Sequence, residues 1–426
     1  MNERTANPTV ALDSLGCKLN RAEIQQLAQQ LAQAGYRLVD SADKVDIYIL
    51  NTCTVTHVAD RKSRHLLRYA RRRNPKARLV AIGCYAHRAP RELSEIEGVD
   101  LVLGNDRKAD LISLLEDTRS LKRPATVASM ILQENSRRTR AFLKVQDGCH
   151  NFCAYCIVPY VRTREESLPV AEIVARVREK VVAGFREVVL TGTEIGAFNY
   201  KRVNLEGLIK LILSDTPVAR LRLSSLQPHQ VSPGLIGLWQ DSRLCPHFHL
   251  SLQSGSDAVL ERMRRRYNTA DYLQVVARIR DSVPDVAITT DVIVGFPGET
   301  DTEFQETLEF CRRLQFARIH VFPFSPRPGT AAATMPGQVS AAVKKERSKQ
   351  MLALAKESSK SFLQQFLGKT REVLWERCSS GIWSGLTSNY IKVFSRSSDD
   401  LTNKLLPVKL MKSYRDGVWG EFFKTG

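Results

Sequence analysis

Three cysteines fall within eight residues of the chain: Cys149, Cys153 and Cys156, in VQDGCHNFCAYCIVPY from Val145 to Tyr160. Thiols at such spacing are natural metal ligands, and their number narrows the metal. A structural zinc site takes four protein ligands, commonly as two paired motifs, and no second pair stands nearby. A ferredoxin-type cluster adds a fourth cysteine shortly afterward, whereas the next cysteine here is Cys245. Three thiolates fit a 4Fe-4S cluster with one iron left open to a small molecule.

Three more cysteines share a second pattern. Cys17 in SLGCKLN, Cys53 in LNTCTVT and Cys84 in AIGCYAH each stand just past an apolar run that reads as a strand. A parallel sheet delivers the C-terminal ends of its strands to one rim, so residues distant in sequence converge there. A second three-thiolate cluster is the expectation. Cys245, Cys311 and Cys378 share no pattern, and the expectation for them is burial as small hydrophobes.

The elements that must position these residues are legible as alternations. Residues 8–118 run strand then helix four times, as an open, doubly wound parallel sheet does. Leu121–Ser136, with Pro124, reads as a linker. From Arg140 to about Phe324, six apolar runs alternate with helical stretches: AFLKVQ, EVVLTG, ARLRLSS, HFHLSLQ, VAITTDVIVG and ARIHVFPF. They predict a partial (β/α) barrel whose chemistry lies on the loops after its strands. A charged helix over Ala341–Phe366 precedes a tail of short strands, REVLWE, NYIKVF and LLPVKL, that reads as a small β-barrel. The fold class is α/β, with modules at 1–120, 136–365 and 366–426.

The 426 residues carry a formal charge of +18, which calls for a polyanionic partner. Nine Lys or Arg and no acid fall in Arg61–Arg78, where a solvated helix face would mix signs. The N-terminus lacks the order of a signal peptide, and no run reaches the roughly 18 apolar residues of a membrane helix. Nine cysteines without an export signal suit a reducing compartment. The expected location is the cytoplasm, with no membrane association.

The C-x3-C-x2-C loop after the first barrel strand resembles the radical S-adenosylmethionine superfamily. The combined pattern resembles the methylthiotransferase family over nearly the whole chain. It includes both cysteine trios, HLSLQSGSD (His249–Asp257), DVIVGFPGET (Asp291–Thr300), HVFPFSPRPGT (His320–Thr330) and a basic tail similar to the TRAM module. SLGCKLN and NTCTVTHVADRKSR resemble the branch acting on N6-threonylcarbamoyladenosine in transfer RNA. The isopentenyladenosine branch tends to read GCQMN and NTC followed by Arg-Glu, and the ribosomal-protein branch NTCGF.

The resemblance implies two 4Fe-4S clusters, on Cys149, Cys153 and Cys156 and on Cys17, Cys53 and Cys84, with S-adenosylmethionine at the open iron of the first. It implies the anticodon stem-loop of transfer RNA as partner, and an electron donor such as flavodoxin or ferredoxin. Glu194 in TGTEIG stands where the superfamily binds the cofactor's ammonium; a surface Glu is the other reading. Ser254, Gly255 and Ser256 suit cofactor carboxylate or ribose contacts, or a helix cap. Gly295, Pro297 and Gly298 let a backbone approach a ligand, or make a tight turn. Phe152 and Tyr155 either shield the cofactor or pack the loop. His249 and His320, in barrel strands, read as satisfied core histidines. Thr163 and Leu168 depart from the family's Arg-Gly and Ser-Arg pairs, leaving open which basic side chains hold the substrate. A methylthiotransferase acting on isopentenyladenosine or a ribosomal protein, and a noncatalytic iron-sulfur RNA-binding protein, are the alternatives.

Overall fold

The computed structural model describes residues 7–40, 45–116 and 139–423; the expected linker Leu121–Ser136 lies outside them. The chain divides into two compact units. One comprises Met1–Asn135, Asp147–Glu165 and Ser325–Thr330, the other Ser136–Gln146, Glu166–Phe324 and Ala331–Gly426. The first unit thus includes all six patterned cysteines.

Its sheet is built from β1 (Thr9–Ser14), α1 (Lys18–Gln33), β2 (Arg37–Val39), β3 (Ile47–Thr52), α2 (His57–Arg73), β4 (Arg78–Gly83), α3 (Cys84–Arg88) and β5 (Val99–Leu103). The strands are parallel in the order β2-β1-β3-β4-β5. β2, only three residues long, is the strand that hydropathy did not reveal. β3 is buried throughout, which is why IYILNT reads as a continuous apolar run and does not alternate. Ile24, Leu27 and Leu31 of α1 cover one face against Ile47, Ile49, Val80 and Ile82. Leu67 and Ala70 of α2 cover the other, against Tyr48, Leu50 and Leu79. This makes a doubly wound layer with its topological switch point between β1 and β3.

In the second unit the six expected strands form: β6 (Arg140–Lys144), β7 (Glu187–Thr191), β8 (Arg220–Leu223), β9 (His247–Leu250), β10 (Ala287–Val294) and β11 (Arg318–Pro323). β6, β7 and β8 pair in parallel, Ser225–Leu226 carries the chain on to pair with β9, and β10 and β11 follow. Phe248, Leu250, Ile288, Val292 and Ile319 join the helices in one core. Alternate residues therefore face the barrel interior, and that face is polar: Glu187, Arg220, Arg222, His247, His249, Thr289, Asp291 and His320.

The tail closes into a five-stranded barrel: β12 (Thr370–Ser379), β13 (Ile382–Thr387), β14 (Lys392–Arg396), β15 (Leu405–Tyr414) and β16 (Gly417–Glu421), in the order β12-β13-β14-β16-β15. Its core gathers Val373, Trp375, Val393, Val408, Leu410 and Val418. β13 and β16 escaped the sequence reading because glycine interrupts both IWSGLT and GVWGE. This module seats on the first residues of the large-barrel strands. Arg140 Nε donates to Glu376 at 2.7 Å, Arg220 donates to the Glu372 carbonyl at 2.9 Å, and Tyr390 lays its ring 3.6 Å from the Arg222 guanidinium. Its place is the floor of the large barrel, at the end opposite the motif-bearing loops. The long helix Ala341–Gln364 precedes it.

Two expectations are corrected. Cys245 and Cys311 are buried, and burial pushes both thiols up to about 12, but Cys378 is exposed, near the end of β12 and past the bulge between Trp375 and Arg377. His249 is a buried, hydrogen-bonded histidine, whereas His320 is exposed. It sits on the polar inner face of β11, the last strand in the order of its sheet.

Candidate functional site

Cys17 is the N-cap residue of α1, directly after β1. Cys53 follows β3, and Cys84 opens α3 after β4. The three thiols converge on the C-terminal rim of the sheet and lie close enough to act on one another electrostatically. The glycine before Cys17 explains part of its motif. Gly16 has φ +93°, and a Cβ there would lie 2.6 Å from Cys53 Sγ. Backbone conformation and the approach of the second thiol both demand glycine.

The polar residues of the two motifs lock this rim. Asn20, fully buried, donates to the carbonyls of Leu15 (2.7 Å) and Thr52 (3.1 Å), and its Oδ1 lies 3.8 Å from the Cys17 thiol. Asn51 donates to the Asn20 carbonyl at 3.2 Å and to Glu23 at 3.0 Å. Thr52 Oγ1 donates to the Ile82 carbonyl at 2.7 Å and accepts from the Ala86 N–H, tying β3 to the turn that carries Cys84. Asn105 Nδ2 lies 3.5 Å from Cys84 Sγ.

Buried charge surrounds the trio. Arg162 donates to Glu23 at 2.8 Å, to Asp147 at 2.7 Å and to Asn20 Oδ1 at 3.1 Å. Lys108 reaches the same Glu23 at 2.6 Å, and burial holds its ammonium below the ordinary lysine range. Although Cys17 stands at an exposed rim, desolvation pushes its thiol up, with Arg162 pulling against that shift. Burial pushes Cys53 up to about 12. Next to Cys53, Thr54 donates to Asp60 at 2.6 Å, and Arg88 and Arg327 close on both residues. Arg327, 1% exposed, leaves Nε and Nη1 without a partner among the described residues.

These observations test whether an iron-sulfur cluster fits. Thiolates in such a site are costly without bound cations, and the surrounding guanidinium and ammonium groups suit the anion that three thiolates and a cluster make together.

Cys149, Cys153 and Cys156 lie partly buried in one loop. The Cys156 N–H donates to the Cys153 carbonyl at 2.9 Å, Asn151 Nδ2 lies 3.3 Å from Cys149 Sγ, and the His150 N–H is held by Glu165 at 2.9 Å. Phe152 stays 44% exposed and meets Tyr160 edge-on at 5.8 Å; it does not fill a core. Val161 and Arg162, just beyond, join this loop to the first trio's surroundings, since Asn105 also donates to the Val161 carbonyl at 2.7 Å.

In the second unit, Glu194 is buried, which overturns the surface reading. Gln227 and Gln230 both donate to its Oε1, and Gln146 accepts from its N–H at 2.8 Å. Ser254 and Ser256 are buried in a turn packed against the helix Asp301–Leu314. Ser254 Oγ is 3.1 Å from Thr307 Oγ1, and a Cβ on Gly255 would strike Phe310 at 2.6 Å. The turn Gly295–Gly298 packs against the long helix, with Pro297 between glycines whose positions are set by Lys344 and Gly337. Leu168 packs on the barrel core, and the Thr163 carbonyl lies 3.2 Å from His150 Nε2.

On α2 the basic run is divided. Asp60, Ser63, Leu67 and Ala70 form the buried stripe, while Arg61, Lys62, Arg68 and Arg72 are exposed. Arg71 is occupied: it donates to the Pro75 and Gly98 carbonyls and pairs with Asp100 at 3.1 Å. Sequence reasoning found the cysteines but missed Asn20, Glu23, Asn51, Asn105, Arg162 and Arg327. The asparagines of GCKLN and NTC were the available signal.

Comparison with known proteins places these features in a family. Residues 143–311 match the radical SAM superfamily model, and residues 9–104 match the uncharacterized protein family UPF0004. The chain is 36% identical to the threonylcarbamoyladenosine tRNA methylthiotransferase MtaB of Bacillus subtilis, covering 98% of this chain and 97% of that one. It is 35% identical to the tRNA-2-methylthio-N(6)-dimethylallyladenosine synthase of Syntrophotalea carbinolica, covering 96% and 98%. Its fold resembles the radical S-adenosylmethionine methyltransferase TsrM from Kitasatospora setae, solved with cobalamin and a [4Fe-4S] cluster, at TM-score 0.58 and 15% identity over 89% of this chain and 80% of that one. No described helix is long and apolar enough to cross a membrane.

Proposed function

Because the chain belongs to the radical S-adenosylmethionine methylthiotransferase family, we propose that it places a methylthio group on C2 of N6-threonylcarbamoyladenosine at position 37 of transfer RNA. The observation that carries this reading is the convergence of Cys17, Cys53 and Cys84 on the C-terminal rim of one parallel sheet, apart from the C-x3-C-x2-C loop. Hydrogen abstraction alone has no use for a second thiol trio; sulfur transfer needs somewhere to hold sulfur. SLGCKLN and NTCTVTHVADRKSR support the threonylcarbamoyl branch, and the Bacillus subtilis relative carries that substrate in its name.

The C2 hydrogen of adenine is not acidic enough for a side-chain base, so the reaction calls for a radical. The two 4Fe-4S clusters with S-adenosylmethionine supply that radical and the sulfur, the hard chemistry that cofactors carry. The chain's own residues bind and position. Cys149, Cys153 and Cys156 ligate one cluster, and Cys17, Cys53 and Cys84 the other. Glu194, fixed by Gln227 and Gln230, meets the cofactor's ammonium through a charge-assisted hydrogen bond. The turns Ser254–Ser256 and Gly295–Gly298 border the cofactor. The exposed cations of α2 and the C-terminal barrel hold phosphates of the anticodon stem-loop. Functionally the chain reads as modules 1–120, 136–365 and 366–426, working in the cytoplasm with a flavodoxin or ferredoxin as electron donor.

Modification of isopentenyladenosine is the second reading, favoured by the relative named for the dimethylallyl substrate. Nucleosides from a strain lacking this chain separate the two. Mass spectrometry should show threonylcarbamoyladenosine retained and its 2-methylthio derivative lost. Loss of the isopentenyl derivative instead would move the chain to the other branch.

A further inference from the structure

Three neighbouring strands of the large barrel present a donor set that the methylthiotransferase reading does not use. His249 on β9, Asp291 on β10 and His320 on β11 each bring one ligand atom to within 4.8 Å of the others. Register fixes the arrangement: Thr289 pairs with His249 across β9 and β10, and Asp291 pairs with His320 across β10 and β11. The donors therefore stand on hydrogen-bonded strands, the kind of support that holds metal ligands within tolerance.

The details favour a cation. His249 Nε2 is 3.1 Å from Asp291 Oδ2, close to the separation of adjacent ligands around an ion with bonds of about 2.1 Å. His249 Nδ1 is 2.9 Å from Thr289 Oγ1, and the same hydroxyl lies 3.2 Å from His247 Nε2. One hydroxyl proton cannot serve both imidazoles, so at least one ring donates N–H to Thr289. With His249 Nδ1–H as that donor, its Nε2 lone pair lies beside the Asp291 carboxylate and is free to ligate a cation there; with His247 as the donor, Nε2–H of His249 donates to Asp291 instead. A ligating histidine whose second nitrogen donates to an oriented oxygen is the usual outer-shell pattern of metal sites. Burial is graded from buried His249 through half-buried Asp291 to exposed His320, which leaves one open side. Two imidazoles and one carboxylate suit iron(II), manganese(II) or zinc(II) better than magnesium or calcium, which take oxygen ligands.

We propose that His249, Asp291 and His320 form a mononuclear site for a first-row divalent transition metal on the inner face of the barrel, using none of the six patterned cysteines and open to water or an anionic oxygen ligand.

The test uses the full chain with both clusters reconstituted, freed of loosely bound metal by a chelator and gel filtration. It is titrated with manganese(II), free ion being followed by electron paramagnetic resonance, and then with zinc(II) as competitor. The expected result is one manganese per chain, displaced by zinc. Asp291→Asn and His320→Gln should each weaken binding more than 10-fold, and Thr289→Val should weaken it about 10-fold through the outer shell. His320 is exposed, so His320→Gln keeps the fold, and its thermal unfolding should match wild type. Absence of stoichiometric binding of either ion, or variants that bind as wild type does, would overturn the proposal.

Discussion

The Arg162 guanidinium donates to Asn20 Oδ1 at 3.1 Å, and the Cys17 thiol lies 3.8 Å from that same oxygen. One buried positive charge is thus a single side chain away from a thiol of the first trio, and it also acts electrostatically on Cys84. A nearby cation stabilises the more negative, reduced state of a cluster. One charge at about 8 Å in an effective dielectric of about 20 is worth about 2 kcal/mol, so Arg162→Gln should lower the midpoint potential of that cluster by tens of millivolts. Arg162→Lys should largely keep it. A redox titration followed by electron paramagnetic resonance reads the shift, and equal potentials in all three proteins would make Arg162 a structural residue only.

Gly16→Ala gives a separate test of the rim. Its Cβ would press on Cys53 Sγ, and the backbone at φ +93° disfavours any side chain, at a cost of about 1–3 kcal/mol. The variant should hold about half the iron of wild type, which carries roughly eight irons in two four-iron clusters. It should still cleave S-adenosylmethionine to 5′-deoxyadenosine. Iron content equal to wild type would contradict the shared site of Cys17 and Cys53.

Much of this arrangement was legible because strand ends and cysteines are local signals. The runs before Cys17, Cys53 and Cys84 became β1, β3 and β4, and all six barrel strands formed where apolar runs were read. What stayed hidden depends on distance in sequence. Arg162 meets Glu23 across 139 residues and Arg327 meets Asp60 across 267, contacts that no periodicity encodes. Arg71 looked like its neighbours in a basic run, yet its partner carbonyl at Gly98 comes from beyond β4. The exposure of Cys378 and His320 was not legible because burial on a strand depends on what packs over it from elsewhere in the chain.

Arg71 also changes how the basic helix should be probed. Reversing Arg61, Lys62, Arg68 and Arg72, all exposed, should weaken transfer RNA binding. Each lost phosphate contact flattens the slope of log affinity against log salt by about 0.7 to 0.9. Arg71→Glu, by contrast, should lower stability first, since it breaks contacts to Gly98 and Asp100. Unchanged affinity and slope in the fourfold variant would assign this face to solvent.

The floor of the large barrel predicts a pH dependence. Glu187 and Arg222 are fully buried and paired at 2.7 Å. Burial alone would raise the carboxyl, but the guanidinium outweighs it and Glu187 ends below its ordinary value of 4.5. A carboxylate with a depressed folded value stabilises the fold above its unfolded value, and that stability is lost as pH falls through the folded one. Glu187→Gln should cost about 3–5 kcal/mol at pH 7 by leaving Arg222 unpaired. In urea unfolding the gap to wild type should shrink steadily below pH 4.5; a constant gap would contradict the charge pairing.

The substrate assignment is tested most directly in vitro. Adenosine 37 lies in a single-stranded loop, where a base can be splayed out for chemistry at its edge. A pocket that hydrogen-bonds the threonylcarbamoyl carboxylate and hydroxyl rejects analogues lacking them far more strongly than an apolar pocket rejects a change in size. The measurement incubates the reduced, reconstituted enzyme and S-adenosylmethionine with three matched transfer RNAs carrying threonylcarbamoyladenosine, isopentenyladenosine or plain adenosine at position 37, followed by nucleoside mass spectrometry. A methylthio mass shift on the threonylcarbamoyl substrate, with little on the other two, is the predicted result; preferential modification of the isopentenyl form, or no shift on any of the three, would contradict it.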